Sequence, residues 1–216
     1  MDIKENTLFL LNQLPIEIQL VAVSKTKSNE AILESYRAGQ RIFGENKVQE
    51  MTGKYEVLPK DILWHMIGHV QSNKVKYMAP FVDLIHGVDS LKLVKEINKQ
   101  GLKNNRIINC LLQIHIAKES TKFGLSKIEC IEALAVTQSL KNVRIKGLMG
   151  MATYTDDKSQ IEQEFEGLKE LYDQLAKQYK EFEILSMGMS GDYEIAIAKG
   201  SNMIRVGSKI FGQRNY

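Results

Sequence analysis

The chain has 216 residues, 44% hydrophobic and 25% charged, an ordinary composition for one globular domain. Its formal net charge of +3 comes from interspersed charges with no basic run, so nothing calls for nucleic acid, and no apolar run approaches the roughly 20 residues of a membrane span. Cys110 and Cys130 are too few for a disulfide framework, and Met1–Gln13 lacks the order of a signal peptide, so the expectation is a cytoplasmic protein.

Taken in order, the chain alternates strands and helices. Asn6–Leu14 reads as a short leucine-rich helix. Leu20–Ser24 is an apolar, β-branched strand with Lys25 at its end. Ser28 offers an N-cap for the helix Ala31–Ala38, which Gly39 stops. Arg41–Gly44 is the next strand, and Asn46–Val57 a helix with Val48, Met51 and Tyr55 on one face. The pattern continues with the strand Ile62–Ile67, the helix Ser72–Met78, the strand Phe81–Ile85 and the helix Leu91–Gln100, capped by Ser90 and ended by Gly101. Ile107–Ile116 is the longest strand candidate, followed by a Ser126-capped helix Ile128–Leu140. Then come Val143–Met149 (strand), Ser159–Tyr179 (helix), Phe182–Ser186 (strand), Tyr193–Lys199 (helix capped by Asp192) and Met203–Val206 (strand). Eight strand–helix units without a linker predict one domain over 1–216, a (β/α)8 TIM barrel, with a doubly wound open sheet as the alternative.

In such a barrel the chemistry lies at the C-terminal ends of the strands. Alternation along the first strand puts Val21, Val23 and Lys25 on one face, so a core-facing pair of valines would leave the lysine at the core's mouth. Partial desolvation there lowers an amine's pKa and suits it to Schiff-base chemistry, although a lysine leaning into water is the commoner end to a strand. Other strand exits carry Glu45-Asn46, His69, His86, Lys118, Ser120, Lys122, Met149 and Tyr154. Glycines at six of these exits (Gly44, Gly68, Gly87, Gly150, Gly188 and Gly207) would let backbone amides approach a ligand. Gly188-Met189-Ser190-Gly191 and Gly207-Ser208 follow strands seven and eight, the usual place for a phosphate in this fold. Arg205 interrupts an apolar strand, so it either pairs with a carboxylate or faces a ligand. His65 and His69 straddle Gly68 at a strand end, a poor spacing for zinc, and no metal site is expected. Cys110 and Trp64 read as packing residues. A phosphorylated carbonyl compound held by Lys25, either a sugar phosphate or pyridoxal phosphate, satisfies these features together.

Six motifs, in order from about Leu20 to the C-terminus, resemble the pyridoxal phosphate homeostasis protein family. They are Val21-Ala22-Val23-Ser24-Lys25-Thr26-Lys27, Phe43-Gly44-Glu45-Asn46-Lys47-Val48-Gln49-Glu50, Trp64-His65-Met66-Ile67-Gly68-His69-Val70-Gln71-Ser72-Asn73-Lys74, Gly147-Leu148-Met149, Ser186-Met187-Gly188-Met189-Ser190-Gly191-Asp192 and Ile204-Arg205-Val206-Gly207-Ser208-Lys209-Ile210-Phe211-Gly212. The resemblance implies a barrel of the alanine-racemase N-terminal domain type, with pyridoxal 5′-phosphate as an internal aldimine on Lys25. It also implies that Ser190, Gly207, Ser208 and the amide of Met189 hold the phosphate. Arg205 would face the pyridine nitrogen, and Asn46 and Met149 would lie near the ring.

The implied role is cofactor carriage and vitamin B6 and amino-acid homeostasis, without established catalysis, in a monomer that supplies pyridoxal phosphate-dependent apo-enzymes. An arginine at the pyridine nitrogen weakens the ring as an electron sink. In the related racemases a second base comes from a further C-terminal domain, whereas this chain ends just past its eighth unit. The segment before Leu20 is short for the family, and Ser28 stands where proline is common. A cofactor-dependent racemase or lyase using His65 or Tyr154 as base, a cofactor-free sugar-phosphate aldolase and a protein-interaction scaffold are the competing readings.

Overall fold

The computed structural model describes residues 2–119 and 123–212; Ser120 and Lys122, expected in the loop after the fifth strand, lie outside them. The strands are β1 (Gln19–Val23), β2 (Ile42–Glu45), β3 (Leu63–Met66), β4 (Leu84–Val88), β5 (Ile108–Ile114), β6 (Val143–Gly150), β7 (Ile184–Met189) and β8 (Met203–Val206). All pair parallel with their sequence neighbours, and β8 closes on β1 through registers such as Val21 with Arg205, which rules out the open sheet. The helices are α1 (Ile3–Gln13), α2 (Asn29–Arg37), α3 (Val48–Val57), α4 (Val75–Met78), α5 (Leu91–Lys103), α6 (Lys127–Thr137), α7 (Lys158–Ala176), α8 (Tyr193–Ala198) and α9 (Ser208–Phe211).

Local signals start most helices as their side chains dictate. Ser28, Ser90 and Ser126 each accept a first-turn amide, and Ser126 forms a capping box with Glu129. α1 begins earlier than the leucine pattern suggests, because Asp2 and Glu5 make a second capping box. Gly101 does not end α5. It lies within the helix, where a Cβ would stand 2.5 Å from the Asn142 carbonyl. β4 starts three residues later than expected because the amides of Phe81 and Val82 bond the Met78 carbonyl instead of a strand (3.0 and 2.8 Å). Phe81 then stacks on Tyr55, with ring centroids 3.9 Å apart. β7 is likewise displaced toward its C-terminus, so Gly188 and Met189 belong to the strand.

Alternation along the strands divides the buried residues into two sets. Outward-facing Ala22, Phe43, Trp64, Ile85, Leu112, Leu148 and Ile204 join the helices in one apolar layer, with Met51, Ile97, Phe165 and Ile210 opposite. Inward-facing Val21, Leu84, Leu111, Met149 and Met203 form a small separate cluster in the lumen. Ile42, Ile67, Met151 and Ile184 pack against it, and the lumen also holds His65, His86, Ser186 and Arg205.

Candidate cofactor site

Lys25 sits just past β1, partly exposed, at the C-terminal mouth where the sequence places it. Ser24 and Lys27 close its turn, the Lys27 amide donating to the Ser24 carbonyl (3.0 Å). Asn46 follows β2, partly exposed, and its backbone packs against the exit of β3. A Cβ at Gly68 would come within 2.5 Å of the Asn46 carbonyl, and one at Gly87 within 2.4 Å of the Gly68 carbonyl. These glycines therefore bring neighbouring strand exits together; the close approach is to protein, where a ligand was expected.

Arg205 projects into the lumen and is 4% exposed. Its guanidinium donates to Ser186 Oγ (2.6 Å) and to the Gly150 carbonyl (3.0 Å), and neither partner is charged. The ion pair that an apolar strand would require is thus replaced by neutral acceptors. Burial pushes the guanidinium down to about 10, partly offset by Asp192, so it stays cationic at neutral pH.

Behind Arg205 runs a hydrogen-bonded row that the sequence did not reveal. Arginine has only donors, so Ser186 accepts from it and gives its own proton to His86 Nδ1 (3.1 Å). His86 then donates from Nε2 to His65 Nδ1 (3.0 Å), and His65 donates from Nε2 to the Asp83 carboxylate (3.2 Å). Both tautomers follow from the two ends, a donor-only cation and an acceptor-only anion. Burial holds both imidazoles below their ordinary 6.5, most strongly His86, which also feels the charges of His65 and Arg205. Asp83 precedes β4, so the row crosses the lumen toward the N-terminal face, and His65 is engaged on both ring nitrogens. Its spacing from His69 has no bearing on metal binding, since His69 bonds Asp89 (2.7 Å) and stacks on Phe123. No group of three potential ligands gathers among the described residues.

At the other side of the mouth, Ser190 and Gly207 meet: the Gly207 amide donates to Ser190 Oγ (3.1 Å), which keeps the hydroxyl proton available to another acceptor. Ser208 is exposed at the start of α9, where first-turn amides have no intrahelical acceptor. The amide of Met189 is not part of this group. It donates to Asp192 Oδ1 (2.5 Å), and Asp192 stands at the start of α8 without a side-chain hydrogen bond to that helix. This bond corrects the expected Asp192 cap and occupies the Met189 amide that was expected to face the phosphate. Met149 is fully buried in the lumen cluster, and Tyr154 is 95% exposed.

The second unforeseen feature lies outside the wall. Lys54 is buried on α3 beside Val48 and Met51, whereas the expected third member of that face, Tyr55, is only partly buried. Its ammonium uses all three donors, on the Ser24 carbonyl (2.9 Å), Glu45 Oε1 (2.8 Å) and Glu50 Oε1 (2.7 Å). Ser24 Oγ also donates to Glu45 (2.5 Å). Burial pushes the Glu45 carboxyl up, against the pull of Lys54. Burial also raises Glu50, but Lys54 and the Thr26 amide outweigh it and hold that carboxyl below its usual range. The sequence signal was a lysine three residues after Met51 on an apolar face.

A lysine at the mouth, a buried cation in the lumen and a hydroxyl-and-amide group across from it define a barrel of the alanine racemase N-terminal domain class, and that family's model matches residues 2–215. The chain belongs to the pyridoxal phosphate homeostasis protein family. It is 40% identical over 200 residues to the pyridoxal phosphate homeostasis protein of Aquifex aeolicus, covering 92% of this chain and 88% of that one. The Escherichia coli protein of the same name is 39% identical over 209 residues, with 94% and 88% covered. Among solved structures, PipY of Synechococcus elongatus with PLP bound superposes with a TM-score of 0.90 at 36% identity, covering 98% of this chain and all of the other. Alanine racemase from E. faecalis, at 17% identity and TM-score 0.75, shares the fold over 58% of its length.

Proposed function

We propose that this protein binds pyridoxal 5′-phosphate at Lys25 and serves its homeostasis as a carrier without turnover. The observation that carries the reading is Arg205, a buried cation in the lumen that donates only to neutral groups, in register with β1, which leads to Lys25. The residues fit this cofactor's chemistry. It supplies an aldehyde, with which a neutral amine condenses with loss of water. Lys25 provides that amine. Arg205 offers a donor to the pyridine nitrogen and, holding its own proton, leaves that nitrogen unprotonated. Ser190, Gly207 and Ser208 take the phosphate, with the Ser190 hydroxyl proton as donor. Asn46 and Met149 border the ring.

The absence of turnover is part of the proposal. Its support is that His65 is tied into the row behind Arg205 and that Tyr154 stands in solvent, which leaves neither placed as a second base. Cytoplasmic apo-enzymes are the proposed recipients, supplied by a monomer. The test is an absorption spectrum with added pyridoxal phosphate, then borohydride reduction and peptide mapping. A visible band and an adduct on Lys25, with no steady conversion of D- or L-amino acids, is the expected result. No band, or an adduct elsewhere, overturns cofactor binding at Lys25; sustained turnover lost in Lys25→Ala overturns the carrier role.

A further inference from the structure

The turn that carries Lys25 has an unusual backbone. Lys25 and Thr26 are the central residues between Ser24 and Lys27, and Thr26 has φ +64°. The third position of such a turn ordinarily takes glycine or asparagine, because a left-handed backbone crowds a Cβ, and a β-branched residue there is an outlier. Residues held this way cost of the order of 1–3 kcal/mol and persist only where their surroundings over-determine them.

The surroundings here are the buried charges on α3 and β2. Lys54 Nζ donates to the Ser24 carbonyl on one side of Lys25 (2.9 Å), and Glu50 Oε1 accepts the Thr26 amide on the other (2.6 Å). Lys54 also bonds Glu50, so one ion pair grips both peptide groups flanking Lys25. Glu45, reached from the wall, holds Lys54 and the Ser24 hydroxyl together. Burying such charges brings no clear gain over a well-packed apolar cluster, so stability alone does not account for them.

We propose that Lys54, with Glu50 and Glu45, is a positioning device: it holds the left-handed turn at Thr26 and thereby aims the Lys25 amine into the mouth of the barrel. This rests on the reading of Lys25 as the attachment residue. Without the grip, the peptide between Lys25 and Thr26 relaxes to a conformation that threonine prefers, and the aimed turn becomes a minor state. Apparent affinity falls by the fraction of molecules still aimed. For the strain above, that is roughly a ten- to hundredfold loss.

The experiment compares wild type, Lys54→Met, Glu50→Gln and the double variant Lys54→Met/Thr26→Gly. Pyridoxal phosphate is titrated by visible absorbance, and exchange of the Thr26 amide is followed without cofactor. Lys54→Met is expected to weaken binding roughly ten- to hundredfold and to speed Thr26 exchange. The double variant should recover about tenfold, since glycine adopts positive φ freely. Glu50→Gln, at a partly exposed position, should show the same direction with a smaller size and serves if Lys54→Met does not fold. Wild-type affinity and exchange in a folded Lys54→Met or Glu50→Gln protein would overturn the proposal. So would a loss that glycine at position 26 does not relieve, since a merely structural defect would not respond to that change. If wild type itself develops no band, attachment at Lys25 fails, and the Thr26 exchange still decides whether the grip exists.

Discussion

The barrel wall separates two interiors of opposite chemistry. Outside it, between strands and helices, the contacts are mostly apolar, with Trp64, Phe43, Phe165 and Met51 fully buried, and the Lys54–Glu45 group is the charged exception the turn at Lys25 uses. Inside it, a small cluster around Val21, Leu84 and Met149 shares the lumen with His65, His86, Ser186 and Arg205. The outer layer removes apolar area from water and so carries most of the stability. The lumen spends buried volume on polar groups that must all be satisfied, which is worthwhile only where direction and charge matter. Apolar residues of the outer layer should therefore act on folding, and residues of the lumen, its mouth and the Lys54 group that grips the mouth from outside on binding and pH response.

The strongest test of this division is Lys25→Ala. The lysine is at the mouth, so thermal stability should change little, while the visible band with pyridoxal phosphate disappears entirely. A band surviving in that variant would break the assignment of the attachment site. On the other side of the wall, Phe165→Ala should cost about 3–5 kcal/mol in urea unfolding through lost burial and the cavity left behind. The surviving folded molecules should bind the cofactor with near wild-type affinity. Equal losses in binding and stability would mean that wall and lumen are not separable.

A subtler difference lies in pH. The folded-state pKa of His65 and His86 is depressed, so their contribution to stability is fully present above 6.5 and is lost as pH falls from there through the folded values. Each buried histidine adds a slope of up to about 1.4 kcal/mol per pH unit. Glu45, whose carboxyl is raised, contributes with the opposite sign above 4.5, equally in wild type and variant. Unfolding of the His65→Gln/His86→Gln protein between pH 7.5 and 5.5 should therefore be flatter than wild type, and parallel curves would show that the imidazoles are not held neutral. The smallest effect should come from Ser190→Ala. Removing the hydroxyl proton proposed as a phosphate donor should cost about 1 kcal/mol of binding, read as a several-fold weaker affinity, with a comparably small loss of stability because the Gly207 amide loses its acceptor.

Much of this molecule could be read from the chain alone. Its strand and helix periods differ, serines stand at three helix starts, and a parallel (β/α)8 order follows from eight uninterrupted alternations. Lys25, Arg205 and Ser190 stand out in the chain because each is a polar residue at a strand end or within an apolar run, and Gly207 because it follows the last strand. What periodicity missed was a matter of partners. β4 slipped because Phe81 and Val82 have the composition of a strand, yet their amides are taken by the Met78 carbonyl. The Met189 amide has a free appearance in sequence and is claimed by Asp192 three residues on.

The sequence by itself determined the order of the elements and the side of the barrel where chemistry gathers, because both depend on local spacing and on the alternation of side chains. Only the tertiary structure decided what the polar residues do. His65, His86, Ser186 and Arg205 come from four strands and form one row only because β8 closes on β1, and Lys54 reaches the turn at Lys25 only because α3 packs against that part of the wall. Hydrogen bonds are short-ranged and directional, so their partners are chosen by closure and packing, which a one-dimensional pattern does not encode.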